Sequence, residues 1–97
     1  MSDLPVERTL ATEERFDFGF HREFLGKSRD YLACSDTAGI VVDMSRTRYI
    51  DSSALGMLIQ LKKKCDAAGK ALAIAHPQGA VKDTLEIANI HKLIPIR

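Results

Sequence analysis

The stretch YIDSSALGMLIQLKKKCDAAGK, from Tyr49 to Lys70, places an acid and two serines between a short apolar segment and a long amphipathic run. From Ser52 the apolar residues recur at helical spacing, the consecutive lysines mark a solvated end, and Gly69 stands where a helix would stop. The pattern therefore predicts a helix from Ser52 to about Gly69, with the Asp-Ser-Ser step at its N-terminus.

The segments around this helix alternate between strand and helix patterns. GIVVDM, at Gly39, is a short β-branched run typical of a central strand that is buried on both faces. Such alternation predicts an α/β domain, with a mostly parallel sheet of about four strands covered by about three to four helices. The other predicted elements are a strand at VERTLA, an amphipathic helix from Phe20 to Leu32, a strand at ALAIAH, a helix within PQGAVKDTLEIANI and a last short strand at LIPI, where Pro95 suits an edge.

Length and composition favour one compact domain with a binding role. The chain has 97 residues, of which 45% are hydrophobic and 28% charged, so we interpret residues 1–97 as a single domain. A core of this size gives no reason to assume a large catalytic cavity. The 14 basic and 13 acidic residues are spread along the chain, and the formal net charge of +1 argues against nucleic acid as a partner.

The sequence shows no pattern for membrane insertion or for an oxidising compartment. The apolar runs are much shorter than the ~20 residues that cross a bilayer, and MSDLPVERTL does not resemble a signal peptide. Cys34 and Cys65 lie far apart without a CxxC motif, so we expect free thiols rather than a disulfide or a zinc site. We therefore predict a cytoplasmic protein.

The serines at the start of the helix admit a structural and a functional interpretation. Ser52 could simply cap the helix by accepting from its free N–H groups, a role worth about 1 kcal/mol. Its hydroxyl would also be exposed at the positive end of a helix, where an added phosphate finds N–H donors and a favourable dipole. The residues alone leave both interpretations open, and the second predicts a phosphorylation site.

Motifs for catalysis are missing around these serines. There is no GxSxG elbow, and no motif links a histidine to Ser52. Neither GxxxxGK[ST] nor GxGxxG occurs, which argues against a nucleotide enzyme. Asp43 and Asp51 flank MSRTRYI, but the sequence offers them no third metal ligand. We therefore predict a protein without enzymatic activity, cofactor or metal.

The segment VVDMSRTRYIDSSALGMLIQLKKKCDAAGKALAI resembles the core of the STAS domain family of anti-sigma-factor antagonists. The family hallmark is a strand that ends in Asp-Ser-Ser/Thr-Gly/Ala-Leu-Gly and runs into a helix. The likeness extends from Ile40 to about Ile96, and ERFDF resembles a second loop of the family, in which an acid, here Asp17, closes an early strand. RFDF…HREF together with DSSALGML resembles the single-domain bacterial members that act in partner-switching circuits.

The resemblance implies a STAS-like single domain in which Ser52 is phosphorylated and Ser53 is a secondary hydroxyl. In the family, the unphosphorylated domain binds a GHKL-type serine kinase that is also the anti-sigma factor, and a PP2C-type phosphatase reverses the modification. We therefore expect a monomeric anti-sigma-factor antagonist that sequesters its kinase until Ser52 is phosphorylated. The implied partner-binding residues are Asp17, Asp51, Ser52, Ser53, Ala54, Leu55 and Gly56, of which Leu55 and Gly56 pack at the helix start.

The chain departs from the family pattern in two places. Ala54 stands where many members have glycine, a small-for-small exchange that should preserve close approach to a partner. Only 13 residues precede ERFDF, whereas many members open with two strands. We therefore expect one strand within residues 1–18 to be short or missing.

Two other functions remain open. The first is a STAS subunit of an ABC transporter complex for lipid or solute transport, a role that needs no phosphoserine. The second is an enzyme that uses Ser52, which would need a basic partner that the sequence does not display.

Overall fold

The computed structural model describes residues 6–97, which form five β-strands and three α-helices. A 3₁₀ turn at Phe18–Phe20 precedes the first helix, and another at Ile90–Lys92 follows the third. The strands are β1 (Val6–Ala11), β2 (Arg15–Phe16), β3 (Thr37–Asp43), β4 (Tyr49–Ile50) and β5 (Ala71–Ala75), and the helices are α1 (His21–Ala33), α2 (Ser52–Ala67) and α3 (Gly79–Ile87).

The main sheet contains β1, β3 and β5, in that spatial order and all parallel. In β3 the consecutive residues Ile40, Val41 and Val42 are all buried, so solvent is excluded from both faces of this strand. The prediction of an α/β domain with GIVVDM as its central strand is confirmed.

The last predicted strand, at LIPI, is wrong. The segment makes one isolated bridge, in which Ile96 pairs with Ile74 of β5. The Ile74 amide donates to the Pro95 carbonyl at 2.9 Å, and the Arg97 amide donates to the Ile74 carbonyl at 2.7 Å. The His76 amide also donates to the Arg97 carbonyl at 3.2 Å. Pro95 has no N–H to add to the ladder and the segment begins directly after a 3₁₀ turn, so the pairing does not extend towards Leu93. Within the described residues, the main sheet therefore has three strands, and two further short strands form a separate sheet.

A second, unpredicted sheet joins β2 to β4 in parallel, with two residues in each strand. Two buried threonines, Thr12 and Thr47, connect it to the main sheet. Their hydroxyls share a hydrogen bond, and the Thr47 hydroxyl also donates to the Glu13 carbonyl at 2.7 Å. The N-terminal region thus has one strand of six residues and one of two, while residues 1–5 of the predicted opening lie outside the described residues.

The end of α2 confirms the stop predicted at Gly69. The helix ends at Ala67, and Gly69 adopts a left-handed conformation with φ of 69°. The Gly69 amide donates to the Asp66 carbonyl at 3.1 Å, and the next amide, of Lys70, donates to the Cys65 carbonyl at 2.8 Å. This pair of bonds satisfies carbonyls that the end of a helix would otherwise leave without a donor.

The two cysteines are both free thiols, as predicted, and their environments differ. Cys34 is exposed, whereas Cys65 is fully buried on α2, where burial raises the pKa of its thiol. Cys65 is therefore shielded from reagents in solvent, whereas Cys34 is accessible to them. Within residues 6–97, none of the helices combines the length and the apolar character that crossing a membrane requires.

Candidate functional site

The Asp-Ser-Ser step and the ERFDF loop lie side by side at one edge of the small sheet. Arg15 pairs with Tyr49 and Phe16 pairs with Ile50, so Asp17 and Asp51 each follow the last paired residue of their strand. Adjacent strands lie about 4.8 Å apart, and the two turns therefore begin next to each other. The strands that bring these loops together are β2 and β4 of the small sheet, and not strands of the main sheet.

Asp51, and not Ser52, caps α2. Its carboxylate oxygen Oδ1 accepts from the amide of Ala54 at 3.0 Å, and its backbone is extended. Ser52 is the first residue inside the helix, so the interpretation of Ser52 as the cap is wrong. Aspartate and serine are about equally good caps, which is why the residue pattern alone did not distinguish them.

Because Asp51 caps the helix, the hydroxyl of Ser52 is not used for capping. Ser52 is exposed, and none of the hydrogen bonds found among residues 6–97 uses its hydroxyl. Ser53, the next residue, is half-buried. Both lie in the first turn of α2, where backbone N–H groups point towards solvent and the helix dipole favours a negative group.

We expect Asp51→Ala to lower the free energy of unfolding by about 1 kcal/mol, because it leaves the Ala54 amide without its acceptor. Ser52→Ala is the matched control and should change the free energy of unfolding by less than about 0.5 kcal/mol, since the Ser52 hydroxyl makes no hydrogen bond within residues 6–97. Urea denaturation of both variants measures the difference. An equal loss in the two variants would contradict the assignment of Asp51 as the cap.

The three residues after the serines differ in what they can offer a partner. Ala54 is 0% exposed and belongs to the core, so we remove it from the predicted contact surface. Leu55 is partly buried and packs against the core, as expected. Gly56 is exposed, and a Cβ added there would meet nothing within 4 Å. Its predicted packing role is therefore wrong, and its side faces open space.

Asp17 closes β2 before the first helix, as the family resemblance implied. Its Oδ1 accepts from the Gly19 amide at 2.9 Å and caps the 3₁₀ turn, while Oδ2 accepts from Nε of Arg15 at 3.2 Å. The Arg15 guanidinium also lies over the ring of Tyr49, 4.3 Å from its centroid. These contacts connect the two turns across the small sheet and fix the direction of the Asp17 carboxylate.

A groove of about 320 Å³ lies beside the two turns, between the start of α1 and the start of α2. Phe18 stands at its rim with 69% of its surface exposed, and its ring stacks on the imidazole of His21 at a centroid distance of 5.3 Å. The residues that line this α1–α2 groove include Phe18, His21, Leu25, Ser53, Gly56 and Met57. Sequence reasoning missed Phe18 and His21 as site residues, although an aromatic residue inside the ERFDF motif was a usable signal.

Comparisons with known proteins agree with this architecture. Residues 6–97 match the family model of the STAS domain. A STAS-domain containing protein of Pseudomonas aeruginosa (strain UCBPP-PA14) is 33% identical over 90 residues, which cover 93% of this chain and 87% of that protein.

The fold is also similar to that of solved structures of other proteins. The anti-sigma factor antagonist SpoIIAA in its unphosphorylated form superposes with a TM-score of 0.66 and 13% identity, over 81% of this chain and 72% of that one. A sulfate transporter family protein from Wolinella succinogenes superposes with a TM-score of 0.77 and 16% identity, over 92% of this chain and 72% of that one. At these identities the two structures support the fold alone.

Proposed function

Since the chain belongs to the STAS domain family, we propose that it is a phosphorylation-controlled anti-sigma-factor antagonist of a partner-switching circuit. Unphosphorylated, it binds a GHKL-type serine kinase that is also the anti-sigma factor. Phosphorylation of Ser52 releases that kinase, and a PP2C-type phosphatase restores binding. The chain itself is the substrate and has no catalytic role, since both reactions belong to its partners.

The observation that carries this proposal is the capping of α2 by Asp51. The cap fixes the start of the helix through a carboxylate, and the Ser52 hydroxyl is left exposed in the first turn. A kinase needs a hydroxyl that can enter its active site without unfolding the substrate. Ser52 meets that requirement, and a phosphate there would lie close to the free N–H groups of the helix start.

The surface around Ser52 supports a role in binding. Asp17 is held in a fixed direction on the neighbouring turn, and Ser53 and Gly56 face the α1–α2 groove. Leu55 adds a partly exposed apolar side chain one turn after the serines. A kinase that contacts these residues would hold Ser52 in place.

The experiment that tests this function is intact-mass measurement of the protein made in its native host. We expect a fraction of the protein to carry one added phosphate, mapped to a peptide on Ser52, and the addition to disappear in Ser52→Ala but persist in Ser53→Ala. A phosphate on Ser53 alone would overturn the assignment of Ser52. An unmodified protein that copurifies with a transporter ATPase would instead favour the alternative of a STAS subunit of an ABC transporter complex.

A further inference from the structure

The α1–α2 groove continues along α1 as a second concavity of about 340 Å³. His21 and Leu25 line both parts, so the two form one surface. The continuation adds Arg22, Gly26 and Arg29, which all lie on α1. We call the whole surface the extended groove.

The charge of the extended groove is one-sided. No acidic residue lines either part, although the chain has 13 acidic residues. Arg22 and Arg29 are exposed, and neither belongs to an ion pair formed within residues 6–97. By contrast, Lys27 on the same helix is paired with Glu23 at 3.1 Å. The groove therefore presents two arginines that form no ion pair within the described residues.

The shape of the groove would also allow another molecule to come close to the helix backbones. Gly26 and Gly56 lie inside helices, where glycine is unfavourable, and a Cβ added at either position would meet nothing within 4 Å. Neither glycine is needed for packing inside the domain. Together they leave the floor of the groove open to the backbone of another molecule, while Phe18 at the rim is an exposed apolar anchor.

We propose that the extended groove binds an acidic amphipathic helix of the partner protein. Its apolar side would contact Phe18 and Leu25, and its flanking Asp or Glu residues would pair with Arg22 and Arg29. Such helices bind in apolar grooves through residues at helical spacing, and the charge of the rim selects the charge of the helix.

This inference rests on the proposed function and adds the chemistry of the partner. A phosphate on the first turn of α2 would bring about two negative charges to the end of the groove where Ser53 lies. It would repel the same acidic helix that the arginines attract. Release on phosphorylation then follows from like charge at the groove and needs no change in the fold.

The test is an NMR titration of the ¹⁵N-labelled protein with two synthetic peptides of about 18 residues, or roughly five helical turns. One has leucines at helical spacing and glutamates elsewhere, and the other has lysine in place of each glutamate. We expect the acidic peptide to shift the amide signals of Phe18, Leu25 and Gly56, and the basic peptide to bind at least tenfold more weakly. Shifts confined to another surface, equal binding of both peptides, or no binding of either would overturn the proposal.

A matched pair of double variants separates local from general charge effects. Arg22→Glu with Arg29→Glu should weaken binding of the acidic peptide at least tenfold. Arg46→Glu with Arg48→Glu changes the net charge equally at exposed positions that do not line the groove, and should change affinity less than threefold. Equal losses in both variants would show that overall charge, and not the groove, attracts the peptide.

The two proposals fail in distinguishable ways. If Ser52 is phosphorylated in the native host but the acidic peptide does not bind the groove, the proposed function is retained and the partner binds at another surface. If the peptide binds as expected but no phosphoserine is found in the host protein, the groove stands and the phosphorylation switch is wrong.

Discussion

Phosphorylation of Ser52 is expected to lower affinity for the proposed kinase partner at least a hundredfold. At a packed interface the phosphate carries a charge of about −2, and without a basic partner it must lose its water. That desolvation costs several kcal/mol, and each ~1.4 kcal/mol is a tenfold change in affinity. Titration of phosphorylated and unmodified protein against the same kinase measures the effect, and an affinity within about tenfold of the unmodified protein would contradict it.

The same phosphate should hardly change the stability of the domain. At the exposed start of α2 a negative group gains about 0.3–1 kcal/mol from the helix dipole, and the like charge of Asp51 opposes it by a comparable amount. Since ~1 kcal/mol corresponds to about 4–8 °C for a domain of this size, the two forms should melt within that interval. Calorimetry on the titrated sample tests this, with kinase-treated Ser52→Ala as the control. A large loss of melting temperature would show that phosphorylation acts on the fold.

The largest effect on stability is expected from Phe16→Ala, which should lower the free energy of unfolding by about 3–5 kcal/mol. Phe16 is 0% exposed and packs against two other aromatic rings, with centroid distances of 5.7 Å to Phe20 and 5.2 Å to Phe24. Truncation would leave a cavity under β2, directly behind the turn of Asp17. Urea denaturation should show a loss equivalent to more than about 10 °C in melting temperature.

Phe18→Ala is the control for this prediction, because the same side chain is removed two positions along the chain. Phe18 is 69% exposed, so its truncation should change the free energy of unfolding by no more than about 0.5 kcal/mol. The two variants should also differ in function, since only Phe18 lies in the extended groove. Similar losses of stability in both would contradict the burial on which the prediction rests.

The sequence predicted the elements whose signals are long or strongly patterned. The helix at Ser52 and its stop at Gly69 follow from an apolar repeat over several turns and from a residue suited to a left-handed conformation. The central strand β3 follows from a β-branched run that only a strand covered on both faces can bury. These signals come from neighbouring residues in the sequence, and burial in the folded domain favours the same helix and strand.

The small sheet could not be predicted in this way. β2 and β4 have two residues each, which is too short for a periodic pattern, and their pairing joins segments that are distant in sequence. The cap at Asp51 could not be predicted from the sequence either, because aspartate and serine can accept from the same amide and only the backbone positions decide between them. At LIPI the apolar pattern was real, but it reflects burial of Ile94 in the core rather than an extended strand.

Because of the small sheet, the residues that the domain needs for folding differ from the exposed residues that can be substituted near the two turns. The turns at Asp17 and Asp51 directly follow β2 and β4, which form a sheet separate from that of β1, β3 and β5. Of the paired residues in the small sheet, Phe16 and Ile50 are the buried ones that the core constrains. Selection acting on the neighbouring exposed positions can therefore alter recognition without disturbing the main sheet. An engineered domain could therefore keep β1, β3 and β5 unchanged while exposed residues of the two turns are exchanged to alter what it binds.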